Sequence, residues 1–372
     1  MNLELSDEQI ALRDTVRSFL AEKASIPGHV RPLLDDPTGT TEAVWRGLAD
    51  LGITGLLVPS DCDGAGGTMV EVGVVLEELG AGLYPGPYLS TAVAATRALM
   101  RFDVENATAA PIFAGIANGS LTAALGPLDG GRPRAVGQGD GIVLRGVIDH
   151  VWDVAAAQVL LVLADDQDGT GLFAVQLPAP GVEAALQIGI DQTRKRFRVE
   201  LDDTPARRLA TASPDAIQAL VDDVVVAWAA DALGAARAVS ELALEYAKVR
   251  KQFGQPIGAF QAIQHLCVDM YETVELARGG VIHALWAADA ADSAERHSAA
   301  LRAKAFAGRL ATVADNAIQV FGGTGYTWEH DAHLYLKRLL SWNAFLGGPD
   351  RYLVEVGAQF AESVVHRHIG EE

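Results

Sequence analysis

The sequence predicts an α+β multidomain fold with an N-terminal helical domain, a middle antiparallel β domain and a C-terminal four-helix bundle. Three observations indicate this order. Segments of helical length between glycine and proline breaks fill residues 1–118. Short runs of β-branched residues between Gly, Asp and Pro clusters fill residues 119–210, and helical periodicity returns over residues 211–372. A chain of 372 residues is long enough for two or three such subdomains.

The first domain opens with a helix-start signal. Ser6 and Gln9 have the spacing of a capping box, and an apolar stripe follows them. Further helices are expected over residues 44–51, 70–79 and 91–100, because turn-forming residues interrupt the chain between them.

The middle domain contains short apolar runs at residues 142–144, 159–163 and 172–175. Their length and spacing predict a small antiparallel sheet or barrel that ends near Leu209. After Ser213 the helical period returns.

The last domain shows the seam of a helix bundle. Apolar residues recur at alternating steps of three and four along one long stretch: Phe260, Ile263, Cys267, Met270, Val274, Ala277, Val281 and Leu285. With helices expected over residues 222–251, 294–320 and 331–346, this seam predicts a four-helix bundle.

The charge of the chain excludes some partners. A net charge of -19 and a pI near 4.8 disfavour nucleic acid and anionic membranes, which require clustered Lys and Arg. The first residues show no targeting pattern and no apolar run is long enough to cross a bilayer, so a cytoplasmic protein is expected. Cys62 and Cys267 have no metal-type spacing and are expected to be buried thiols.

Two short motifs carry the functional signal. Residues 250–261 read RKQFGQPIGAFQ between two helices, and residues 319–325 read QVFGGTG after another helix. A guanidinium such as that of Arg250 suits a pyrophosphate, and a glycine pair lets a nucleotide approach the backbone closely. Each motif alone has a structural explanation, since basic residues and glycine also end helices.

Together, the two motifs resemble those of the acyl-CoA dehydrogenase family, and the likeness extends over nearly the whole chain. The resemblance implies a flavoprotein in which FAD is held on its adenosine side by six residues, here called the clamp: Arg250, Gln252, Phe253, Gln319, Gly322 and Gly323. In the family this clamp reaches across a dimer interface to a flavin whose ring lies against the β domain of the other subunit.

The positions expected to hold the flavin ring differ from the family pattern. Related enzymes carry Thr-Glu-Pro and Gly-Ser-Asp on a β-domain loop, whereas residues 125–131 read LGPLDGG. The family's Trp-Ile-Thr strand corresponds to His150-Val151-Trp152, again without the hydroxyl. The donors expected at the ring are therefore absent, unless the change is a harmless subfamily variation.

The general base is also missing from its two known places. Acyl-CoA dehydrogenation needs a carboxylate that removes the proton α to the thioester carbonyl. The loop position falls within residues 346–349, LGGP, and the helix position falls on Val224. Asp231 lies two helical turns beyond Val224 on the same face, so it is either the base or a buried polar group in a helix contact.

Residues 322–338 resemble the variant of the family found in bacterial sterol and acyl-chain degradation, whose members can be heteromers of two unlike chains. The resemblance implies an α2β2 assembly in which this chain is the noncatalytic partner and completes a flavin site. It also implies an acyl-CoA substrate and an electron-transfer flavoprotein as electron acceptor. The alternatives are a complete homomeric dehydrogenase with Asp231 as base, and a structural or CoA-binding scaffold without flavin. His330 and His333 are read as part of a surface helix and no metal is expected.

Overall fold

The N-terminal domain is a set of packed helices. The structure is a computed structural model that describes residues 4–139 and 141–369, with only the backbone given for 362–369. The capping box is present, since Ser6 and Gln9 exchange side chain to backbone hydrogen bonds. The helices are α1 (Asp7–Lys23), α2 (Glu42–Asp50), α3 (Met69–Ala81), α4 (Thr96–Arg101) and α5 (Asn106–Ala117), with a π-helical segment, Leu89–Ala95, directly before α4.

The middle domain is a closed barrel. Its strands are β1 (Ala123–Gly126), β2 (Arg134–Gln138), β3 (Gly141–Trp152), β4 (Val159–Asp166), β5 (Gly169–Gln176), β6 (Val182–Gln187) and β7 (Arg196–Thr211). The order β4-β2-β3-β7-β5 closes through the pairing of β5 with β4, while β1 adds to β4 and β6 to β7.

One detail of the barrel differs from the antiparallel prediction. β1 and β2 both run parallel to β4. The hairpin of β2 and β3 lies between β1 and β4 in the chain, and such an intervening crossover lets two strands run in the same direction. The sheet is therefore mixed, with antiparallel pairs in the majority.

The C-terminal domain is built on two long helices, α6 (Pro214–Val249) and α7 (Gln261–Ala290). α6 begins eight residues before the predicted start at residue 222, where the Ser213 side chain accepts a hydrogen bond from Ala216 N–H and caps the helix. The remaining helices are α8 (Ser293–Ala307), α9 (Ala311–Phe321), α10 (Ala332–Ala344) and α11 (Pro349–Ile369).

The helix predicted over residues 294–320 is wrong in one respect, because it breaks into α8 and α9 at a 3₁₀ turn, Gly308–Leu310. A break of this kind frees backbone carbonyls from the helical hydrogen-bond ladder. In addition, α11 is a helix that the sequence analysis did not anticipate.

The N-terminal domain and the bundle touch at the level of the backbone. A Cβ added at Gly80 of α3 would lie 1.9 Å from the carbonyl oxygen of Asp231, and one at Gly234 would lie 1.8 Å from that of Glu77. Only glycine permits so close an approach of two helices. One hydrophobic core joins the N-terminal helices to the bundle, and a second fills the barrel.

No helix among the described residues is long and apolar enough to span a bilayer.

Candidate functional site

The first half of the clamp lies on a short hairpin at the end of the longest helix. Arg250 follows α6 in extended backbone, and Lys251–Gln252 then pairs with Gln255–Pro256. The two turn residues, Phe253 and Gly254, have φ values of 52° and 83°. Positive φ at both positions suits a two-residue hairpin, but this geometry normally selects Asn-Gly rather than an aromatic residue.

Phe253 is held in an unfavourable conformation without being buried. Its side chain is 93% exposed, and its ring meets Phe260 edge-on with centroids 6.1 Å apart. Arg250 and Gln252 are exposed as well. A bulky residue in left-handed backbone costs on the order of 1 kcal/mol, and such strain concentrates at binding sites. The hairpin therefore presents an aromatic ring and a guanidinium to whatever binds there.

The second half of the clamp follows α9. Gln319 is exposed in the last helical turn, and Gly322 has φ 61° and ψ -141°, a conformation open in practice to glycine alone. A Cβ added at Gly322 or Gly323 would meet no atom within 4 Å. Packing within the chain therefore does not require these glycines, and the space beside them is free for a flat group to approach the backbone.

The two halves lie at the same end of the bundle. Tyr246, one turn before Arg250, contacts Phe321, which directly precedes Gly322, with ring centroids 5.1 Å apart. The structure thus brings together the two motifs that the sequence separates by about two helices.

The residues assigned to the ring side line a different feature, here called the ring-side cavity. It has a volume of about 270 Å³ and lies between the barrel and the bundle. Leu125, Gly126, Pro127, Leu128 and Asp129 of the first β-domain loop line it, as do His150 and Trp152 of β3. His150 has φ 60° and sits where the pairing of β3 with β7 shifts register, a bulge that re-aims the side chains beside it.

Three aromatic rings in the wall of this cavity pack with the fully buried ring of Trp342. Together they form the aromatic cluster, Trp152, Trp228, Trp342 and Phe345. Trp228 is at the centre, with ring centroids 4.7 Å from Trp152, 4.3 Å from Phe345 and 5.9 Å from Trp342. Such packing buries a large apolar area and fixes each ring by its neighbours. The sequence shows that Trp152 stands where the family has a hydroxyl, but the contact between Trp152 and Trp228 cannot be read from it, since the two residues are far apart in the chain.

Neither of the two base positions holds an acid. Val224 is fully buried in the core, and Leu346 and Gly347 form part of the cavity wall. The carboxylates that do line the ring-side cavity are Asp129 and Asp149, and both are exposed to solvent. An exposed carboxylate lacks the burial that tunes a general base.

Asp231 lies in a buried network of guanidinium groups. Its carboxylate is fully buried and receives two hydrogen bonds from Arg338 Nη1, at 2.9 and 3.0 Å, and one from Arg194 Nη2 at 2.5 Å. Arg338 is itself completely buried and also lies 3.1 Å from Asp191. Both oxygens of Asp231 accept hydrogen bonds from guanidinium groups, an environment that favours the interpretation as a buried polar group.

A second cavity of about 420 Å³ adjoins the first and shares Leu128, Asp129, Leu346 and Gly347 with it. His297 of α8 lies in its wall, with Nδ1 2.9 Å from the Asp222 carboxylate of α6. This hydrogen bond raises the pKa of His297. The pair escaped the sequence analysis because its members lie 75 residues apart and form no motif.

His330 and His333 have structural partners. His330 Nδ1 accepts a hydrogen bond from Ala332 N–H at the start of α10, and the ring of His333 stacks on Trp328. Over residues 4–139 and 141–369 no cluster of three His, Cys, Asp or Glu side chains is placed to hold a metal ion.

Comparison with known proteins identifies the family. Residues 6–106 match the N-terminal domain of acyl-CoA dehydrogenases, and residues 221–361 match the C-terminal domain. The chain belongs to the acyl-CoA dehydrogenase family, whose members are FAD-dependent oxidoreductases acting on acyl-CoA.

Within that family the chain is similar to mycobacterial members. It is 34% identical to FadE34 of Mycobacterium tuberculosis over 98% of its own length, but spans only 50% of that protein. It is 32% identical to IpdE2 of the same organism, with 96% of this chain and 98% of IpdE2 covered. Among solved structures, a chain of the ChsE4–ChsE5 complex from M. tuberculosis has a TM-score of 0.88 at 27% identity, covering 97% of this chain and 99% of the other.

FAD fits one half of this site and not the other. The exposed Arg250 and Phe253 and the open glycine pair suit the adenosine and pyrophosphate part of the cofactor. The loop that lines the ring-side cavity lacks the hydroxyl residues of the family pattern, and the donors in the cavity wall are instead Ser341 and the buried, unpartnered Nε1 groups of Trp152 and Trp228. When bound, the flavin supplies the hydride acceptor of the reaction; the residues of this chain suit the task of gripping its nucleotide end.

Proposed function

We propose that this chain is the noncatalytic subunit of a heteromeric acyl-CoA dehydrogenase and completes the FAD site of an unlike, catalytic subunit. In this assignment Arg250, Gln252 and Phe253 contact the pyrophosphate and adenosine side of the flavin. Gln319, Gly322 and Gly323 accommodate the adenine end. The partner supplies the ring pocket and the general base.

The observation that carries the proposal is that no buried carboxylate lines the ring-side cavity among the residues that the structure describes. Val224, Leu346 and Gly347 occupy the two places for a base, and Asp231 is committed to Arg338 and Arg194. A chain that acts alone on an acyl-CoA needs a carboxylate close to the α carbon.

Two further observations support the assembly with an unlike chain. The clamp is exposed, as expected for a surface that is covered only when another subunit binds. The ChsE4–ChsE5 structure is a complex of two named chains, and one of its chains shares this fold at 27% identity. We assign an acyl-CoA as the substrate of the complex and an electron-transfer flavoprotein as its electron acceptor, both in the cytoplasm.

The test is a flavin count on the chain purified alone and together with its partner, by absorbance of the protein and of the flavin. The lone chain is expected to retain little flavin and to show no turnover with acyl-CoA substrates. The complex is expected to carry one flavin for each pair of unlike chains. One flavin per lone chain together with turnover would overturn the proposal and favour a complete homomeric enzyme.

A scaffold without flavin contact gives a different result. In that case the complex would contain flavin, but its affinity would not change when Arg250 is replaced. The Arg250→Ala variant of the complex therefore separates a clamp from a scaffold.

A further inference from the structure

A buried lysine lies behind the wall that separates the two cavities. Lys304 on α8 is fully buried, and its Nζ donates hydrogen bonds to the backbone carbonyl oxygens of Trp342 at 2.5 Å and Asn343 at 3.3 Å. These carbonyls are in the last turn of α10, whose negative dipole end favours a cation. Lys304 thus caps α10 from a neighbouring helix.

The surroundings of the amine are aromatic rather than anionic. Its Nζ lies 3.8 Å from the ring centroid of Trp342 and 6.0 Å from those of Phe345 and Tyr352. In the described part of the chain no carboxylate forms an ion pair with it. Cation–π contacts and carbonyl dipoles compensate a buried ammonium only in part, because neither carries a full negative charge.

The same helix end is fixed by two more hydrogen bonds. Trp342 Nε1 donates to Ala307 O at 2.9 Å, and Asn343 Nδ2 donates to Gly308 O at 2.8 Å. Both acceptors lie where the chain breaks between α8 and α9. Three side chains therefore join the end of α10 to the end of α8.

The segment that follows this junction, Phe345–Gly348, determines the shape of both cavities. Phe345 belongs to the aromatic cluster, and Leu346 and Gly347 line the two cavities. Leu346 has φ 52°, a left-handed conformation that is unfavourable for a residue with a side chain, whereas the φ of 102° at Gly347 is open to glycine. The position of the segment depends on the anchors at its ends.

We propose that Lys304 is a positioning residue that keeps Phe345–Gly348 closed over the cavities, and that uptake of a proton by its amine accompanies opening of the segment. The closed state buries the amine, whereas in the open state water reaches it. The device is a property of this chain and does not depend on where the flavin ring lies.

The direction of the pH effect follows from linkage. Burial lowers the pKa of Lys304 from 10.5 to about 7 in the closed state. A hydrated lysine keeps a pKa of about 10.4, so opening takes up a proton at any pH between these two values. Lowering the pH in this window favours the open state, and below about pH 7 both states are protonated and the effect levels off.

Several titratable groups on the surrounding helices have partners of their own. Tyr352 of α11 is the titratable ring within reach of Lys304, and burial raises its pKa further from neutrality. Ion pairs join Asp222 with His297, Asp231 with Arg338, Glu355 with Arg351, and Glu295 with Arg302 and His283. Arg296 of α8 differs, since its Nε is buried without a hydrogen-bond partner among the described residues.

Hydrogen exchange measured by mass spectrometry on the full chain, in its complex where the chain is obtained that way, tests the proposal. Protection factors of peptides spanning residues 343–348 are compared between pH 6 and pH 9.5 after correction for intrinsic exchange rates. The opening constant is expected to rise about tenfold per pH unit from about pH 9.5 to pH 7.5 and to become nearly flat below about pH 6.5.

Variants of Lys304 distinguish a positioning role of its amine from a role in packing alone. Lys304→Met removes the amine and is expected to make the protection of this segment independent of pH, whereas Lys337→Met on α10 keeps the wild-type profile. Lys304→Arg keeps a permanent charge and is expected to stay open throughout the range. The proposal would be overturned if the protection of residues 343–348 in the wild type did not change with pH above pH 7, or if it kept falling below pH 6. An unchanged dependence of protection on pH in Lys304→Met would also overturn it. None of these readouts depends on the flavin count.

Discussion

The clamp and the ring-side cavity belong to the same cofactor site in the family, yet in this chain they have diverged in opposite directions. The clamp is exposed and strained, with an aromatic residue at φ 52° and glycines beside open space. Three rings, Trp152, Trp228 and Phe345, line the ring-side cavity, and the interior next to them contains the buried ion pair of Asp231 and Arg338. An exposed surface kept in a costly conformation indicates binding to another molecule. An interior of packed rings and buried ion pairs indicates stability.

The largest effect on the free energy of unfolding is expected for a substitution of the fully buried Asp231. Asp231→Asn leaves the buried guanidinium groups of Arg338 and Arg194 without their carboxylate, and should lower the free energy of unfolding by about 3–5 kcal/mol. Denaturant unfolding measures this loss. Asp129→Asn, at an exposed carboxylate of the cavity, is the control and should change stability by less than about 0.5 kcal/mol. Wild-type stability combined with a loss of turnover in Asp231→Asn would instead restore the catalytic interpretation.

Asp153 directly follows β3 and tests how strongly burial in this interior disfavours a charged carboxylate. Desolvation raises the pKa of its carboxyl to about 6, although Ser90 hydrogen-bonds to it. The folded state therefore binds a proton more tightly than the unfolded chain, so the free energy of unfolding falls as pH rises from about 4 to 6.

Asp153→Asn should remove this fall and stabilise the protein above pH 6 by up to about 3 kcal/mol. Asn also suits the left-handed backbone at this position, where φ is 59°. Unfolding curves at pH 4.5 and 7.5 provide the measurement, with the exposed Asp149→Asn as control. Equal pH slopes in Asp153→Asn and wild type would contradict the expectation.

A substitution of Arg250 tests the clamp. Arg250→Ala should weaken flavin binding by the complex about 10- to 100-fold, since it removes a charge-assisted hydrogen bond to a phosphate. The stability of the chain should not change because the side chain is exposed. Flavin titration of the apo-complex measures the affinity, with Arg134→Ala on the barrel surface as control. An identical flavin affinity in both variants would assign the chain to the scaffold class.

The smallest effect on stability is expected at His297, which lines the cavity next to the ring-side cavity. Asp222 raises the pKa of His297, so the pair adds stability that is fully present below about pH 6.5 and is lost as pH rises through the folded-state pKa. About a third of the side chain is exposed, which limits the contribution to about 0.5–1 kcal/mol. The free energy of unfolding of the wild type should therefore fall slightly between pH 6 and 8, and His297→Gln should abolish this fall. The exposed His265→Gln variant is the control and should behave like the wild type.

The elements that the sequence predicts well are those with local signals. The Ser6 capping box and the seam of α7 depend on residues within a few turns of each other, and the structure confirms them. The break between α8 and α9 was missed because it depends on Trp342 and Asn343, which bind the freed carbonyls from another helix.

The site divides in the same way. Each half of the clamp is a contiguous motif, so both halves could be recognised in the sequence. The structure places the two halves at one end of the bundle. The role of Asp231 could not be predicted, because its partner Arg338 is 107 residues away and spacing along one helix cannot reveal it. The aromatic cluster likewise joins rings from β3, α6 and the end of α10.

The exposed tip of the hairpin also affects how the protein behaves when it is produced by itself. Phe253 and Val249 present an apolar surface, 93% and 71% exposed, that only a bound molecule can shield from water. Apolar surface of this kind promotes nonspecific self-association in concentrated solution. The isolated chain should therefore be prone to aggregation despite its charge of -19, and coexpression with the chain that covers the hairpin should improve its solubility.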